Sequence, residues 1–160
     1  MKVVEVSTML PMSPQKATEL MIRSDTLIFE STIFTFKDSG KFPEIWQSGQ
    51  LIETHLVLLG LVPLGPYSIY FSEVDEDKRY FRTSEGGGVV ERWEHLRSIK
   101  KVELDGFGYD DECILTDRVE IEAGWMTWLV CLIAKLNYRH RQKRWSLLAE
   151  EEACKANALL

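Results

Sequence analysis

The stretch WMTWLVCLIAKLNYRHRQKRWSLLAEEE, residues 125–152, decides the fold of this chain. It contains no glycine or proline, and good helix formers dominate its second half, so it predicts a single helix longer than most helices of globular proteins. Its first ten residues are apolar nearly all round, whereas Leu136, Trp145 and Leu148 stand among polar neighbours. A helix with this pattern is buried at its start and amphipathic afterwards.

The residues before this helix predict a run of antiparallel strands. The segment YSIYFS, residues 67–72, alternates with a period of two, which is typical of a half-buried strand. A turn cluster, Asp75-Glu76-Asp77, precedes its hairpin partner, and Gly86-Gly87-Gly88 interrupts the pattern again. The predicted strands span residues 50–61, 67–72, 78–84, 89–104 and 112–122, with a turn at residues 105–111.

The N-terminal part predicts one strand and two short helices. Val3, Val4 and Val6 form a β-rich run, and Ser13-Pro14 combines an N-cap residue with proline at the first helical position. The helices are predicted at residues 14–23 and 26–29, with Ser24-Asp25 as the second cap. An apolar sheet face must be covered, and only the terminal helix is long enough to cover it. The sequence therefore predicts an α+β domain, with a curved antiparallel sheet around the C-terminal helix. The domain spans residues 1–152, followed by a tail at 153–160.

Composition narrows the class of protein further. A chain of 160 residues is the length of one domain, and its net charge of −6 disfavours nonspecific attraction to nucleic acid or anionic membranes. The chain has three cysteines, Cys113, Cys131 and Cys154, and no two of them have the CxxC spacing. An odd number without this spacing favours reduced thiols in the cytoplasm. The apolar stretch 125–134 is about half the length of a membrane span. We therefore expect a cytoplasmic protein with no stable membrane insertion and no nucleic-acid partner; the oligomeric state is open.

Several short motifs point to a known superfamily. The motifs are Gly49, residues 60–63, Trp93-Glu94-His95, residues 115–119 (LTDRV) and Tyr138-Arg139-His140-Arg141. Their order, and the order of the predicted elements, resemble a bacterial branch of the START-like superfamily, also called SRPBCC, over nearly the whole chain. This superfamily has the helix-grip fold and includes the birch pollen allergen family and polyketide cyclases. The resemblance implies either ligand binding or a cyclase/dehydrase-like activity.

The chain departs from that branch at several positions. Arg97 stands where the branch often has a second histidine, Ile99 where it has an aromatic residue, and Ala123-Gly124 where it commonly has a proline. Because these positions fall on strands expected to line the pocket, the resemblance does not transfer the identity of a ligand. The superfamily also includes lipid carriers and hormone receptors, so the fold does not name the function.

Strand parity predicts which side chains line a pocket between sheet and helix. On the sheet, the residues that share the inward parity are Tyr67, Ile69, Phe71, Phe81, Thr83, Trp93, His95, Arg97, Ile99 and Asp117. On the helix, Met126, Leu129, Val130 and Ile133 follow helical spacing and would close the pocket. Tyr70 and Arg82 have the opposite parity and are expected to face solvent. An apolar wall with a few polar groups is typical of a small-molecule site.

His95 and Asp117 are the two candidates for acid or base catalysis. An imidazole titrates near neutrality, and a carboxylate on an apolar face must be paired or must have a raised pKa. The structural alternatives are a hydrogen-bonded His95 and an ion pair of Asp117 with Arg97 or Arg139. We favour the structural alternative for both residues as far as catalysis is concerned.

Other patterns have simpler explanations. The triple glycine lacks the helix and the Gly-Lys-Ser/Thr of a phosphate loop, so a strand break or bulge is favoured. The basic run at Lys135, Arg139, His140, Arg141, Lys143 and Arg144 favours a solvated helix face. The three histidines have no metal-ligand spacing, and we expect no metal or cofactor. The leading hypothesis is binding of a hydrophobic or amphipathic molecule such as a lipid, isoprenoid or polyketide. The alternatives are a cyclase or dehydrase using His95 and Asp117, and an interaction module using the basic helix surface.

Overall fold

A computed structural model describes residues 1–88, 90–104 and 107–158 of the chain. The strands are β1 (Lys2–Leu10), β2 (Phe34–Phe36), β3 (Gln50–Leu58), β4 (Val62–Asp75), β5 (Tyr80–Gly87), β6 (Val90–Leu104) and β7 (Phe107–Glu122). The helices are α1 (Pro14–Met21), α2 (Ser24–Glu30) and α3 (Thr127–Ala158), and short 3-10 turns occur at Ser39–Lys41 and Gly124–Met126.

The seven strands form one curved antiparallel sheet in the order β1-β7-β6-β5-β4-β3-β2. The first strand pairs with the last, which places the start of α3 next to β1 at one edge of the sheet. The helix α3 is 32 residues long and packs across the concave face, in contact with β1 and β7. The predicted helix-grip fold is therefore confirmed, including the two short helices that follow the first strand.

Several elements differ from the sequence-based expectation; β4, for example, spans Val62–Asp75 where residues 67–72 were predicted. The strand β2 was not predicted, because three residues are too few to establish an alternation. Residues 107–111 belong to β7 rather than to a turn, whereas residues 105 and 106 of that predicted turn, and Val89, lie outside the described residues. The helix α3 also continues through residues 153–158, which the sequence placed in a tail.

The start of α1 follows the predicted capping chemistry. The Ser13 hydroxyl accepts a hydrogen bond from the backbone N–H of Lys16 at 3.2 Å, and Pro14 occupies the first helical position. At α2, Arg23 holds the N-cap position and Ser24 is already helical. The bridge between Arg23 and Ile45 ties this junction to the segment before β3.

Two clusters of buried apolar side chains lie under the sheet. The larger cluster joins α1, the middle strands and the second half of α3, and Trp46 stacks on Phe71 with ring centroids 4.6 Å apart. The smaller cluster joins β1, β6 and β7 to the first half of α3 around Val119, Ile121 and Tyr138. Buried charged residues lie between the two clusters, and they form part of the site described below.

Gly87, at the end of β5, allows a close approach of β4. A Cβ atom at this position would lie 2.5 Å from the backbone oxygen of Pro66 and 2.8 Å from Cδ2 of Tyr67. Neither contact can be relieved by moving the end of a flexible side chain. A Cβ atom at Gly86, by contrast, would meet no atom within 4 Å. The middle glycine of the triplet is therefore required by packing against β4.

Replacing Gly87 with alanine is expected to lower the free energy of unfolding by about 1–3 kcal/mol, because the new methyl group overpacks a backbone contact. The matched control is Gly86→Ala, for which we expect a change within about 0.5 kcal/mol. Urea denaturation followed by circular dichroism measures both. Equal losses in the two variants would contradict the packing argument.

Candidate functional site

A cavity of about 290 Å³ lies between the sheet and the first half of α3. Most of its lining is aliphatic or aromatic and comes from β2, β3, β4, β6 and α3. The lining residues of that kind are Phe34, Phe36, Leu56, Leu64, Pro66, Val90, Trp93, Val130 and Ile133. Ser31, Tyr67, Glu85, Asn137, Tyr138 and Arg141 supply the polar groups, and Gly87 and Gly88 complete the wall.

The contribution of α3 changes from apolar to polar along the helix. Val130 and Ile133 come first, and Asn137 and Arg141 follow at the same helical spacing, so all four lie on one face. With a rise of about 1.5 Å per residue, this face extends about 16 Å along the helix axis. The cavity consequently has an apolar part near the start of α3 and a polar part about three turns further on.

A carboxylate on β5 organises the polar part. The hydroxyl of Tyr67 donates to Oε2 of Glu85 at 2.6 Å, and the hydroxyl of Thr83 donates to Oε1 at 2.6 Å. Nδ1 of His95 lies 3.6 Å from the same Oε1. Burial by itself would raise the pKa of Glu85, but the hydrogen bond and charge of His95, with the two hydroxyls, hold it below its ordinary value. Glu85 is therefore an ionised acceptor at neutral pH.

The phenols on this wall remain protonated. Burial, reinforced by the negative charge of Glu85, raises the pKa of Tyr67 well above its ordinary value. Burial also raises the pKa of Tyr138. Both hydroxyls are therefore neutral hydrogen-bonding groups across the physiological range.

Behind the cavity, a second carboxylate lies at the end of α2. Glu30 is fully buried and accepts hydrogen bonds from Arg141 and from the indole of Trp145, both on α3. Nη1 of Arg97 also donates to both of its oxygens, at 2.8 and 3.1 Å. The short helix α2 is thus joined to the sheet and to α3 through one side chain.

Asp117, on β7, is the third buried carboxylate. Its Oδ1 accepts from Nε of Arg97 at 2.7 Å and lies 2.8 Å from Nε2 of His95, while Oδ2 accepts from Gln142 at 3.1 Å. Burial alone would raise the pKa of Asp117, but attraction to Arg97 and the hydrogen bond from His95 hold it well below its ordinary value. The predicted ion pair between Asp117 and Arg97 is confirmed.

The charges of this buried network nearly cancel. Glu30, Glu85 and Asp117 are opposed by Arg97 and Arg141, which leaves one negative charge over. His95 is 3% exposed, and each of its ring nitrogens faces a carboxylate. The carboxylates of the network therefore outnumber its arginines by one.

The structure distributes the predicted pocket residues over three places. Those lining the 290 Å³ cavity are Tyr67, Trp93, Val130 and Ile133. Those lining a separate void of about 30 Å³ are Ile69, Phe71, Phe81, Thr83, His95 and Arg97. Those that contribute to neither wall are Ile99, Asp117, Met126 and Leu129. Tyr70 and Arg82, which were expected to face solvent, are exposed.

Parity arguments missed most of the cavity wall, including Glu85, Asn137, Tyr138 and Arg141, and they also missed Glu30 behind it. Glu85 continues the alternation of Phe81 and Thr83, but the glycines that follow it obscured the pattern. Asn137 and Arg141 continue the spacing of Val130 and Ile133 on α3. Glu30 carries no signal of burial, because its partners come from distant parts of the chain.

The basic run on α3 does not form one solvated face. Arg139 and Lys143 are exposed, as expected. Arg141, however, is 8% exposed and paired with Glu30, so its predicted exposure is wrong. The guanidinium of Arg144 lies 4.0 Å from the ring centroid of Phe29, above its face. The helical period turns every third or fourth residue of the run toward the interior.

Within the described part of the chain, no group of three His, Cys, Asp or Glu side chains is arranged to hold a metal ion. The same residues include no helix that combines the length and apolar character of a membrane span.

Solved structures share this fold at low sequence identity. The alignment with a START superfamily protein from Mycobacterium smegmatis covers 93% of this chain and 97% of that protein, with a TM-score of 0.65 and 14% identity. The alignment with a norcoclaurine synthase variant from Thalictrum, solved with a transition-state analogue, covers 95% of this chain and 96% of the synthase. Its TM-score is 0.66 and the sequence identity is 15%. The alignment with an uncharacterized protein from Bacillus thuringiensis covers 92% of this chain and 98% of that protein, with a TM-score of 0.68 and 11% identity. The START-like resemblance of the sequence is thereby confirmed as a resemblance of fold.

No curated protein matches the chain in sequence. Residues 32–148 match one family model, described as domain of unknown function DUF8410, and this match includes β3 to β7 and most of α3. Most of the cavity wall falls within the matched residues. The chain is a member of the DUF8410 family.

Proposed function

We propose that the protein binds a small hydrophobic or amphipathic molecule in the cavity between the sheet and α3. The observation that carries this proposal is the cavity itself, about 290 Å³ in volume and walled mainly by aromatic and aliphatic side chains. Small-molecule sites are typically built this way, with a few polar groups that orient the ligand. The fold shared with a START superfamily protein supports the proposal without specifying a ligand.

The volume limits the size of the ligand. An apolar cavity of about 150 Å³ accommodates one benzene molecule, so a cavity about twice as large accommodates roughly a dozen non-hydrogen atoms. This size fits a short isoprenoid or a compound with one or two aromatic rings. A long-chain lipid exceeds it. Within the classes considered from the sequence, we therefore favour small isoprenoid and aromatic polyketide-like ligands.

An acid–base reaction at His95 and Asp117 has less support. Asp117 does not line the cavity, and both of its oxygens already accept hydrogen bonds from buried side chains. His95 lines only the smaller void and is enclosed by Asp117 and Glu85. A general base must reach the proton that it abstracts, directly or through one water. We therefore assign these two residues a structural role that positions the cavity wall.

The interaction-module alternative has also lost support, because it relied on Arg141 being part of a solvated surface. The side chain of Arg141 is instead held by Glu30 between α3 and α2.

Titration of the protein with naphthalene, followed by calorimetry, tests the binding proposal. We expect saturable binding of one molecule per chain, and about a tenfold or greater loss of affinity in the variant Val130→Phe, because the larger ring occupies part of the cavity. Native mass spectrometry of the purified protein adds an independent readout, since a copurified small molecule would appear as a mass increment.

The matched control is Leu132→Phe, which adds an aromatic ring at a position that is 52% exposed and outside the cavity wall. Its affinity for naphthalene should equal that of the unmodified protein. Absence of saturable binding, or the same affinity loss in both variants, would overturn the proposal.

A further inference from the structure

We propose that the ligand is an uncharged molecule with a carbonyl or similar hydrogen-bond acceptor, placed against Arg141, Asn137 and Tyr138, and not a carboxylic acid. This inference rests on the proposed function, since it concerns the occupant of the same cavity. It specifies the chemical class of the polar end of the ligand.

The polar part of the cavity offers unused hydrogen-bonding groups. Arg141 uses Nη2 for Glu30, and its buried Nε has no hydrogen-bond partner among the described residues. Within the same part of the chain, the buried indole Nε1 of Trp93, on the same cavity wall, also lacks a partner. Asn137 and Tyr138 lie on this wall with Arg141. All three side chains line the cavity and are more than nine-tenths buried. An occupant can therefore accept hydrogen bonds there from groups that the fold leaves unpaired.

Donors outnumber acceptors on this wall. The unpaired groups of Arg141 and Trp93 can only donate, whereas the amide of Asn137 and the hydroxyl of Tyr138 can both donate and accept. Glu85 is the one carboxylate among the described residues of the wall, and its two oxygens already accept from Tyr67 and Thr83. A ligand that brings an acceptor satisfies this surplus, whereas a purely apolar ligand leaves buried donors without a partner.

The charge balance argues against an anionic ligand. The positive charge of Arg141 is already neutralised by Glu30, and the carboxylates of the surrounding network outnumber its arginines. A carboxylate in the cavity would add an uncompensated negative charge next to Glu85. Burial of a charge without a partner is strongly unfavourable. The wall thus provides donors without a net positive charge, which suits a carbonyl better than a carboxylate.

Three compounds of nearly equal shape and size test the inference: benzylacetone, hydrocinnamate and isopentylbenzene. They carry a ketone, a carboxylate and a branched alkyl end, respectively, on the same phenylethyl group. We expect benzylacetone to bind about tenfold more tightly than either of the others, in calorimetric titrations at neutral pH. Hydrocinnamate binding as tightly as the ketone, or isopentylbenzene binding more tightly, would overturn the inference. Absence of binding by all three would instead count against the proposed function.

Variants locate the polar contact. In Tyr138→Phe and Asn137→Leu, the preference for benzylacetone over isopentylbenzene should fall severalfold, while isopentylbenzene still binds. Tyr70→Phe is the matched control, because Tyr70 is 42% exposed and lies on the opposite face of the sheet. A preference that is unchanged in both cavity variants would overturn the assigned position. The substitution Arg141→Met is avoided as the main test because it also removes a partner of Glu30.

Discussion

Replacing Glu30 with glutamine is expected to lower the free energy of unfolding by about 3–5 kcal/mol, because it leaves buried charges uncompensated. Glu30 is fully buried and accepts hydrogen bonds from Arg97, Arg141 and Trp145. The amide retains the shape of the side chain but loses its charge, and its NH₂ group faces donors. Arg97 would keep its ion pair with Asp117, whereas Arg141 would lose its carboxylate partner.

The measurement is urea denaturation at neutral pH, followed by tryptophan fluorescence and circular dichroism. The matched control is Glu53→Gln, since Glu53 is exposed on β3, and its effect should stay within about 0.5 kcal/mol. A Glu30→Gln protein as stable as the control would show that the buried contacts contribute little. Trp145→Phe, which removes the indole donor and part of a fully buried ring, should also lower the stability.

Replacing Asp117 with asparagine is expected to cost about 3 kcal/mol at pH 7, and this difference should shrink in acid. The pKa of Asp117 is depressed in the folded state. Burial by itself would raise this pKa, but the interactions with Arg97 and His95 lower it by more. The stability that arises from this depression is fully present above the pKa of the unfolded chain, about 4, and is lost as pH falls toward the folded-state pKa. The unmodified protein should therefore lose up to about 1.4 kcal/mol per pH unit below pH 4 from this group.

Denaturation curves at pH 7, 5 and 3.5 would test this expectation. Glu85, whose pKa is also lowered, contributes in the same direction in both proteins. Asp77→Asn, at an exposed turn, serves as the control and should show no such dependence. If the stability gap between the unmodified protein and Asp117→Asn were constant from pH 7 to pH 3.5, the assigned role of Asp117 would be incorrect.

The sequence predicted the architecture because the deciding signals are local. An uninterrupted helix-forming stretch, the alternation at residues 67–72 and the cap at Ser13 each depend on neighbouring residues. Contacts between distant segments were harder to predict. Alternation identified which side chains point inward, including His95, Arg97 and Asp117, but it did not show where the sheet and α3 separate to leave a cavity. That separation depends on sheet curvature and on how the helix lies across it.

The buried ionic network was also predictable only where its residues lie on neighbouring strands. The Asp117–Arg97 pair could be predicted because the two residues occupy neighbouring strands with matching parity. Glu30 could not, since it lies 67 residues before Arg97 and 111 before Arg141. Composition of a local segment contains no information about a partner so far along the chain.

Glu85 and Arg141 line both the large cavity and the small void, so each side chain is part of the partition between them. Both also belong to the ionic network that joins the sheet to α3. A designer who wished to alter ligand preference would therefore find the two ends of the cavity unequal. The apolar end, at Val130, Ile133 and Leu64, can be reshaped one side chain at a time. Redesign of the polar end requires a simultaneous replacement of the ionic groups behind it.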